Sequence, residues 1–177
     1  DAAGCQTTAT VDISENILAL GADIEQTAEI NCTGDAAAAL EVTINGGKPP
    51  FSYAWNNASI SGEKAQNLAA GSYQVTITDA TGTTTTSKIS ITEPKALAVN
   101  IRVEAPASTG NSDGKATALV SGGSQNYSFK WDSGETAKVA AKLNAGNHTV
   151  TVTDAVGCQA TASIDISENI LPLSVNI

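Results

Sequence analysis

The fold class is most clearly predicted from one segment, Gly71-Ser-Tyr-Gln-Val-Thr-Ile-Thr-Asp-Ala-Thr-Gly82. Apolar and polar residues alternate along it, so that Tyr73, Val75 and Ile77 share one face of an extended chain. Alternation with a period of two is typical of a half-buried β-strand, and Asp-x-x-Gly is typical of a turn. The stretch therefore predicts a strand that leads into a tight turn.

The same pattern occurs again in the second half of the chain, as Gly146-Asn-His-Thr-Val-Thr-Val-Thr-Asp-Ala-Val-Gly157. Its last four positions also occur at Asp1-Ala-Ala-Gly4. Recurrence at a spacing of about 75 residues indicates a tandem repeat. We expect the end of a preceding repeat at 1–16, a first repeat at 17–94, a second repeat at 95–169 and the first strand of a following repeat at 170–177.

Each predicted repeat reads as a small all-β domain. About seven short strands, separated by turn signals rich in glycine, proline and asparagine, are typical of an immunoglobulin-like β-sandwich. The first repeat is predicted to open with a strand at 17–24, and no helical period competes with the strand pattern. The predicted fold is therefore a series of immunoglobulin-like β-sandwich repeats of about 75 residues.

One strand of each repeat carries three alternating aromatic residues. In the first repeat Tyr53 and Trp55 lie on this strand, and in the second repeat Phe129 and Trp131 lie on it. Aromatic side chains of this size dominate the packing of small cores, so we expect these four residues to anchor the cores. The alternative is an exposed platform on which sugar rings could stack.

The net charge of −9 and the pI near 4.4 exclude two classes of partner. Nucleic acids and anionic membrane surfaces both select basic patches, so we expect neither as a partner. No apolar run approaches the roughly 20 residues that a membrane-spanning helix needs. The composition indicates an extracellular protein that does not insert into a membrane.

Three cysteines, Cys5, Cys32 and Cys158, occupy two kinds of position in the repeat. A disulfide within each repeat would need cysteines at Thr83 and Ser108, which are absent. A disulfide across each repeat junction would pair Cys5 with Cys32. At the next junction the equivalent positions are Thr83 and Ser108, so cysteine is absent from both partners there. We therefore predict a Cys5–Cys32 disulfide, which would close a loop of roughly 28 residues and leave Cys158 free in this chain. Three free thiols are the alternative.

Residues capable of catalysis or metal binding are sparse. His148 is the single histidine and replaces Tyr73 of the first repeat, so a packed histidine is favoured over a catalyst. Asp35 and Asp113 lie in matching loops and could bind calcium weakly, but only one or two carboxylates are local, so turn formation is the favoured explanation. We expect no catalytic residues, no cofactor and no dedicated metal site.

The order Gly-Gly-x-Pro-Pro-Phe-x-Tyr-x-Trp at 46–55, followed by the stretch at 68–79, Gly-Cys at 157–158 and Ile-x-Glu-Pro at 91–94, resembles the SprB-type repeat. The resemblance covers essentially the whole chain, although Gln125-Asn126 replaces Pro49-Pro50. The stretch Lys130-Trp-Asp-Ser-Gly134 also resembles PKD-type repeats. The resemblance implies a segment of a large, secreted cell-surface adhesin of Bacteroidota, built from PKD- or immunoglobulin-like tandem repeats.

Two functions are compatible with these observations. The first is a non-catalytic stalk or filament whose partners are other repeats of the same chain, further copies in a fibre or a surface polysaccharide. The alternative is an accessory array of carbohydrate-binding modules in a secreted enzyme. Sequence beyond these 177 residues would distinguish the two functions. Further repeats would favour the stalk, and a catalytic domain would favour the accessory module of an enzyme.

Overall fold

A computed structural model describes residues 8, 10 and 18–170, and the strands below lie within them. The first six strands are β1 (Gly21–Ala28), β2 (Ala38–Asn45), β3 (Ser52–Trp55), β4 (Lys64–Leu68), β5 (Gly71–Thr78) and β6 (Thr84–Ile91). The others are β7 (Ala98–Ala105), β8 (Ala107–Ser108), β9 (Gly114–Ser121), β10 (Ser128–Trp131), β11 (Val139–Leu143), β12 (Gly146–Thr153), β13 (Gln159–Ile166) and β14 (Glu168–Asn169). The described part of the chain contains no helix.

The strand order is the same in the two halves of the chain. Strands β1 to β6 form two sheets, ordered β1-β2-β4 and β3-β5-β6. Six of the later strands form sheets ordered β11-β9-β7 and β10-β12-β13, and β8 pairs with β14 in parallel. In each half, one sheet takes the first, second and fourth long strands and the other takes the third, fifth and sixth. This is the ABE and CFG arrangement of immunoglobulin domains, so the predicted fold class is confirmed.

The described residues form two compact units, which differ from the predicted repeats. Unit 1 contains 18–27, Leu40–Ala65 and Ser72–Ser90. Unit 2 contains 91–170 together with Ala28–Ala39 and Gln66–Gly71. The predicted repeat boundaries and the repeat length of about 75 residues stay predictions.

The core of unit 2 lies between its two three-stranded sheets. Trp131 is 1% exposed and pairs in register with Val150, while Phe129 pairs with Val152 and is partly buried against the same cluster. Inward residues of the facing sheet complete it. The fully buried members of the cluster are Ala107, Ala116, Ala118, Trp131, Ala140, Leu143, Val150, Val152 and Ile166.

Unit 1 uses the same register on its aromatic strand. Trp55 pairs with Val75 and is 9% exposed, whereas Tyr53 pairs with Ile77 and is half-buried. Each tryptophan also satisfies its indole N–H, since Trp55 Nε1 donates to Gly62 O at 2.9 Å. Trp131 Nε1 donates to Ala137 O at 3.0 Å. With both indoles buried, the four aromatic residues do not form an exposed platform for sugar rings.

The predicted opening strand at 17–24 is displaced, because β1 begins at Gly21. Leu18 precedes the strand and is 74% exposed, and its carbonyl oxygen accepts a hydrogen bond from Gly47 N at 2.9 Å. Ile17 lies outside the described residues. The apolar run at 18–20 is therefore a leading segment ahead of the strand, held through its backbone.

Candidate functional site: the linker and its disulfide

A six-residue linker, 92–97, connects β6 to β7 and is fastened by the loop between β1 and β2, which belongs to unit 2 like the linker itself. This first clasp loop, 31–35, turns on Gly34, whose φ is 85°, and Asp35 N donates to Cys32 O at 3.1 Å. Thr33 Oγ1 donates to Pro94 O at 2.8 Å, and Gly34 N donates to the Glu93 carboxylate at 2.8 Å. The linker is thus tied down by both backbone and side-chain contacts.

The second repeat contains the same device. In its second clasp loop, 107–111, Asn111 N donates to Ser108 O at 2.9 Å. Thr109 Oγ1 donates to Asn169 O and Gly110 N donates to Glu168 Oε1, both at 3.3 Å. Recurrence of the same contacts about 75 residues later indicates that the clasp is a built-in feature of the repeat.

The start of β7 is fastened by a pair of glycines. Gly123 N donates to Lys95 O at 2.9 Å, as Gly47 N does to Leu18 O in unit 1. Gly122 has a φ of 71°, and a Cβ atom at this position would overlap the carbonyl oxygen of Ala96. The Gly-Gly pair is therefore required by the close approach of the linker backbone as well as by the turn.

Replacing Gly122 with alanine is expected to destabilise unit 2 more than the same change at Gly134. Gly134 has a similar φ of 88°, but a Cβ there meets nothing within 4 Å. Both variants incur the left-handed backbone cost of about 1–2 kcal/mol, and Gly122→Ala adds an overlap of roughly 1–3 kcal/mol. Urea denaturation measures the difference, and equal losses would show that the linker moves away without cost.

A disulfide joins Cys32 of the first clasp loop to Cys158, with the Cα atoms 5.6 Å apart and a sequence separation of 126. A sulfur atom forms only one such bond, so the predicted Cys5–Cys32 pairing is wrong in this structure. The expectation that Cys158 is free is wrong for the same reason. Cys5 lies outside the described residues. The clasp loop is thus bonded covalently to the turn that follows β12.

The observed pairing follows a rule that the sequence analysis did not weigh. A clasp loop bonds to the Asp-x-x-Gly-x turn of the next repeat, neither to its own turn nor to the preceding one. Cys32 and Cys158 are the pair that the structure joins in this way. The sequence shows that Cys32 and Cys158 occupy positions that recur in each repeat. Only the geometry of the linker shows that these two cysteines are bonded to each other.

Both repeats build their Asp-x-x-Gly-x turn around a buried aspartate. In the second Asp turn, 154–158, Asp154 Oδ1 accepts from Cys158 N at 2.9 Å and from Val156 N at 3.1 Å, and Oδ2 accepts from Ser124 N at 2.9 Å. The hydrogen bond from Ser124 leads the contacts that hold the pKa of Asp154 below its usual value. The turn that presents Cys158 is therefore organised by one carboxylate.

The first Asp turn, 79–83, has the same frame. Asp79 Oδ1 accepts from Thr83 N at 3.0 Å and from the Thr81 hydroxyl at 2.7 Å, and Oδ2 accepts from Lys48 N at 3.2 Å. The Thr81 hydroxyl is the leading cause that lowers the pKa of Asp79. Thr83 stands here in the place of Cys158.

Acid is expected to destabilise unit 2 through Asp154. A carboxyl group whose pKa is lower in the folded than in the unfolded chain stabilises the fold above the unfolded value, near 3.9, and this stability is lost as pH falls through the folded pKa. The melting temperature should therefore fall as pH is lowered from about 5 to about 2. Asp154→Asn should melt lower at neutral pH and depend less on pH. An unchanged pH dependence in this variant would contradict the assignment.

His148 is buried, at 5% exposed, and both ring nitrogens face oxygen atoms. Nδ1 lies 3.0 Å from Asp132 Oδ1, and Nε2 lies 3.0 Å from Asn144 O, four residues upstream. Burial is the largest single influence on the pKa of Asp132 and acts to raise it, but the hydrogen bond to His148, the backbone hydrogen bonds of Thr149 and Ser133 and the charge of His148 together leave that pKa lowered. Strand β12 corresponds to strand F of an immunoglobulin domain. A ring near the start of this strand that hydrogen-bonds to the backbone a few residues upstream resembles the tyrosine corner. The role of His148 is to lock this corner.

The loop aspartates considered for calcium differ in their contacts. Both carboxylate oxygens of Asp113 accept hydrogen bonds from Ser108, one from its backbone N and one from its hydroxyl, each at 2.7 Å. These bonds, from the backbone first, lower the pKa of Asp113. Asp35 contributes its backbone N–H to the first clasp loop. Among the residues that the structure describes, no group of three or more His, Cys, Asp or Glu side chains is placed to hold a metal ion.

The SprB-repeat profile matches residues 24–59 and 109–136. Each matched segment contains the Gly-Gly pair and the aromatic strand that ends in Trp55 or Trp131. The two matched segments cover 64 of the 177 residues, and both resemble the SprB repeat. Within the described residues, no helix is long and apolar enough to cross a membrane.

Comparison with solved structures finds similar chains at low sequence identity. A C-terminal 282-residue intimin fragment, in complex with the intimin-binding domain of the translocated intimin receptor, is 17% identical over 86% of this chain with a TM-score of 0.39. The fibronectin(III)-like modules of Clostridium thermocellum CbhA are 16% identical over 88% of this chain and the whole of theirs, with a TM-score of 0.31. The chain spans 64% of the intimin fragment. No match to a curated protein was found.

Proposed function

We propose that the chain is a structural, adhesive segment of a long extracellular surface protein, in which tandem repeats form a stalk or filament. The observation that carries the proposal is the fastened linker. Three hydrogen bonds reach the linker from the first clasp loop and the Gly-Gly pair, and a disulfide fixes that clasp loop to the turn after β12. Such fastening suits a protein whose function depends on holding its repeats in a fixed series.

The extracellular setting is supported by the chemistry of the chain. Disulfides persist in oxidising compartments and are rare in the cytosol, and the Cys32–Cys158 bond is of this structural type. The surface is acidic, with a net charge of −9, which suits a soluble and extended surface protein. The SprB-repeat match supports the same setting.

The proposal predicts that the two repeats keep a defined separation only while the linker is fastened. Spin labels are introduced at the exposed positions Thr86 and Thr161, in a Cys5→Ser background that keeps the Cys32–Cys158 disulfide. Pulsed electron paramagnetic resonance then measures the distribution of distances between the labels. We expect a single narrow distribution in the oxidised protein.

The matched control carries Cys32→Ser and Cys158→Ser in the same background, so that only the disulfide is lost. The distribution should broaden in this control. Equally broad distributions in both proteins would overturn the stalk proposal. Polysaccharide binding, measured by calorimetry against a panel of soluble glycans, would instead favour an accessory module of a secreted enzyme.

A further inference from the structure

The corner at the start of β12 sets a condition on the charge of His148. The ring is buried, Nδ1 lies 3.0 Å from Asp132 Oδ1, and Nε2 lies 3.0 Å from Asn144 O. A carboxylate oxygen and a peptide carbonyl oxygen both accept hydrogen bonds and donate none. For both contacts to be hydrogen bonds, both ring nitrogens must therefore carry a hydrogen atom.

A neutral imidazole does not meet this condition. It has one N–H, so in either tautomer the other nitrogen directs its lone pair at an oxygen atom 3.0 Å away. A buried polar atom that faces another acceptor loses its hydrogen bond to water and gains none in return, which is costly. The imidazolium has an N–H on each nitrogen and satisfies both contacts.

A proton on Asp132 would be the other way to satisfy the contact at Nδ1. The side chain of Asp132 is 43% exposed, so water solvates its charge. Although burial acts to raise it, the hydrogen bond to His148 and the backbone hydrogen bonds of Thr149 and Ser133 leave the pKa of Asp132 below its usual value. The carboxyl group is therefore ionised at neutral pH, and the proton of this contact belongs to the ring.

The other charged groups around the corner are bonded elsewhere or lie outside it. The charged side chains on β10 to β13 and their connections are Lys130, Asp132, Glu135, Lys138, Lys142, Asp154 and Asp165. The Glu135 carboxylate accepts from the backbone N of Ala141 and of Lys142, and Asp165 Oδ1 accepts from Asn147 Nδ2. The facing sheet contributes apolar side chains to the core cluster. Asp132 is thus the charged partner that bonds to the ring.

We propose that folded unit 2 takes up a proton at His148 and that this proton locks the corner at the start of β12. Mild acid tightens the corner, and alkaline pH loosens it. His148, Asp132 and Asn144 all lie within unit 2, so the lock is a property of one domain. The inference goes beyond the proposed stalk and does not depend on it.

The direction of the pH effect follows from proton linkage. A histidine in an unfolded chain loses its proton near pH 6.5. The stability that the bound proton contributes is complete below about pH 6.5 and is lost as pH rises above that value. The contribution of Asp154 has the opposite sign, because it is lost in acid. Unit 2 should therefore be most stable between about pH 5 and about pH 6.5.

Nuclear magnetic resonance of the ring nitrogens tests the assignment directly. His148 is the single histidine of the chain, so its imidazole signals need no further assignment. At about pH 7.5 we expect two protonated ring nitrogens in the folded protein. The same chain unfolded in urea should show mostly the neutral ring, with one bare nitrogen. One bare nitrogen in the folded protein at this pH would overturn the proposal.

Stability across neutral pH tests the consequence. Urea denaturation is measured from about pH 6 to about pH 9 in a Cys5→Ser background, so that the thiol of Cys5 does not titrate in this range. The unfolding equilibrium constant of unit 2 should rise by up to tenfold for each pH unit above about pH 6.5. This slope corresponds to one proton released on unfolding.

His148→Tyr is the matched variant for the stability measurement. Tyr73 occupies the equivalent position of unit 1 and is buried there, so the position accepts a phenol ring. A phenol does not titrate between about pH 6 and about pH 9, and the rise in the unfolding equilibrium constant should disappear. A rise of equal size in both proteins would contradict the proposal.

Asp132→Asn distinguishes a charged ring from one that is only packed. The new amide can donate an N–H to a bare ring nitrogen, so the neutral imidazole is satisfied in this variant. One bare nitrogen should then appear at about pH 7.5, and the pH dependence should be lost. Asp165→Asn removes the same charge from an exposed position of β13 and should keep both wild-type signatures. Identical behaviour of the two variants would overturn the role of Asp132.

Discussion

Loss of the Cys32–Cys158 disulfide is expected to lower the free energy of unfolding by as much as roughly 5 kcal/mol. The bond spans 126 positions, and in the chain-entropy account a loop of this size restricts the unfolded chain by that amount. The double variant Cys32→Ser and Cys158→Ser should therefore unfold at a much lower urea concentration than the wild type. Urea denaturation followed by tryptophan fluorescence measures the change.

Cys5→Ser is the control for this prediction, and it should leave the unfolding midpoint and the native disulfide unchanged. Mass spectrometry after alkylation of the unreduced protein should find one disulfide, between Cys32 and Cys158, and one modified cysteine. A disulfide between Cys5 and Cys32 would contradict the structure. Equal unfolding midpoints for the wild type and the double variant would instead show that strain in the native state cancels the stabilisation from restricting the unfolded chain.

Replacing Trp131 with alanine is expected to destabilise unit 2 by about 3–5 kcal/mol. The indole is 1% exposed, fills the centre of the core cluster and donates a hydrogen bond to Ala137 O at 3.0 Å. Truncation removes the packed ring and leaves a cavity. Differential scanning calorimetry should show the unfolding transition of unit 2 at a lower temperature. If unit 2 no longer folds, its transition should be missing.

Trp131→Phe is the matched variant, because it keeps an aromatic ring and loses the indole N–H. It should cost less than Trp131→Ala. Trp55→Ala makes the same truncation in unit 1, where the indole is 9% exposed. A Trp131→Ala protein that melts like the wild type would show that the ring is not needed for packing and would make a ligand-binding role worth testing.

The strand architecture is predictable because its signal is local. Alternation at Tyr73, Val75 and Ile77 puts all three side chains on one face, and the structure buries all three. The same reasoning fails at Leu18, since an apolar residue in a leading segment has the same appearance as one in a strand. Short pairings such as β8 with β14, which are two residues long, produce no alternation to detect.

The disulfide could not be predicted from the sequence with the same confidence as the strands. Repeat alignment shows which positions are equivalent, but it does not show which repeat brings its loop to which turn. That choice depends on the linker, where Thr33 and Gly34 bond to residues 60 positions or so away in sequence. The corner formed by His148 is likewise a contact that only tertiary structure defines, because Asp132 reaches it from the turn after β10.

The position of the disulfide also decides how the chain would carry tension. When an oxidised chain is pulled from its two ends, the load passes from Cys32 directly to Cys158 and bypasses the 126-position segment between them. Strands β2 to β12 then lie outside the loaded path and cannot be drawn out, however hard the ends are pulled. Reduction would release that segment, which at full extension measures roughly 420–450 Å. The covalent bond thus acts as a tether that limits how far this part of the protein can lengthen.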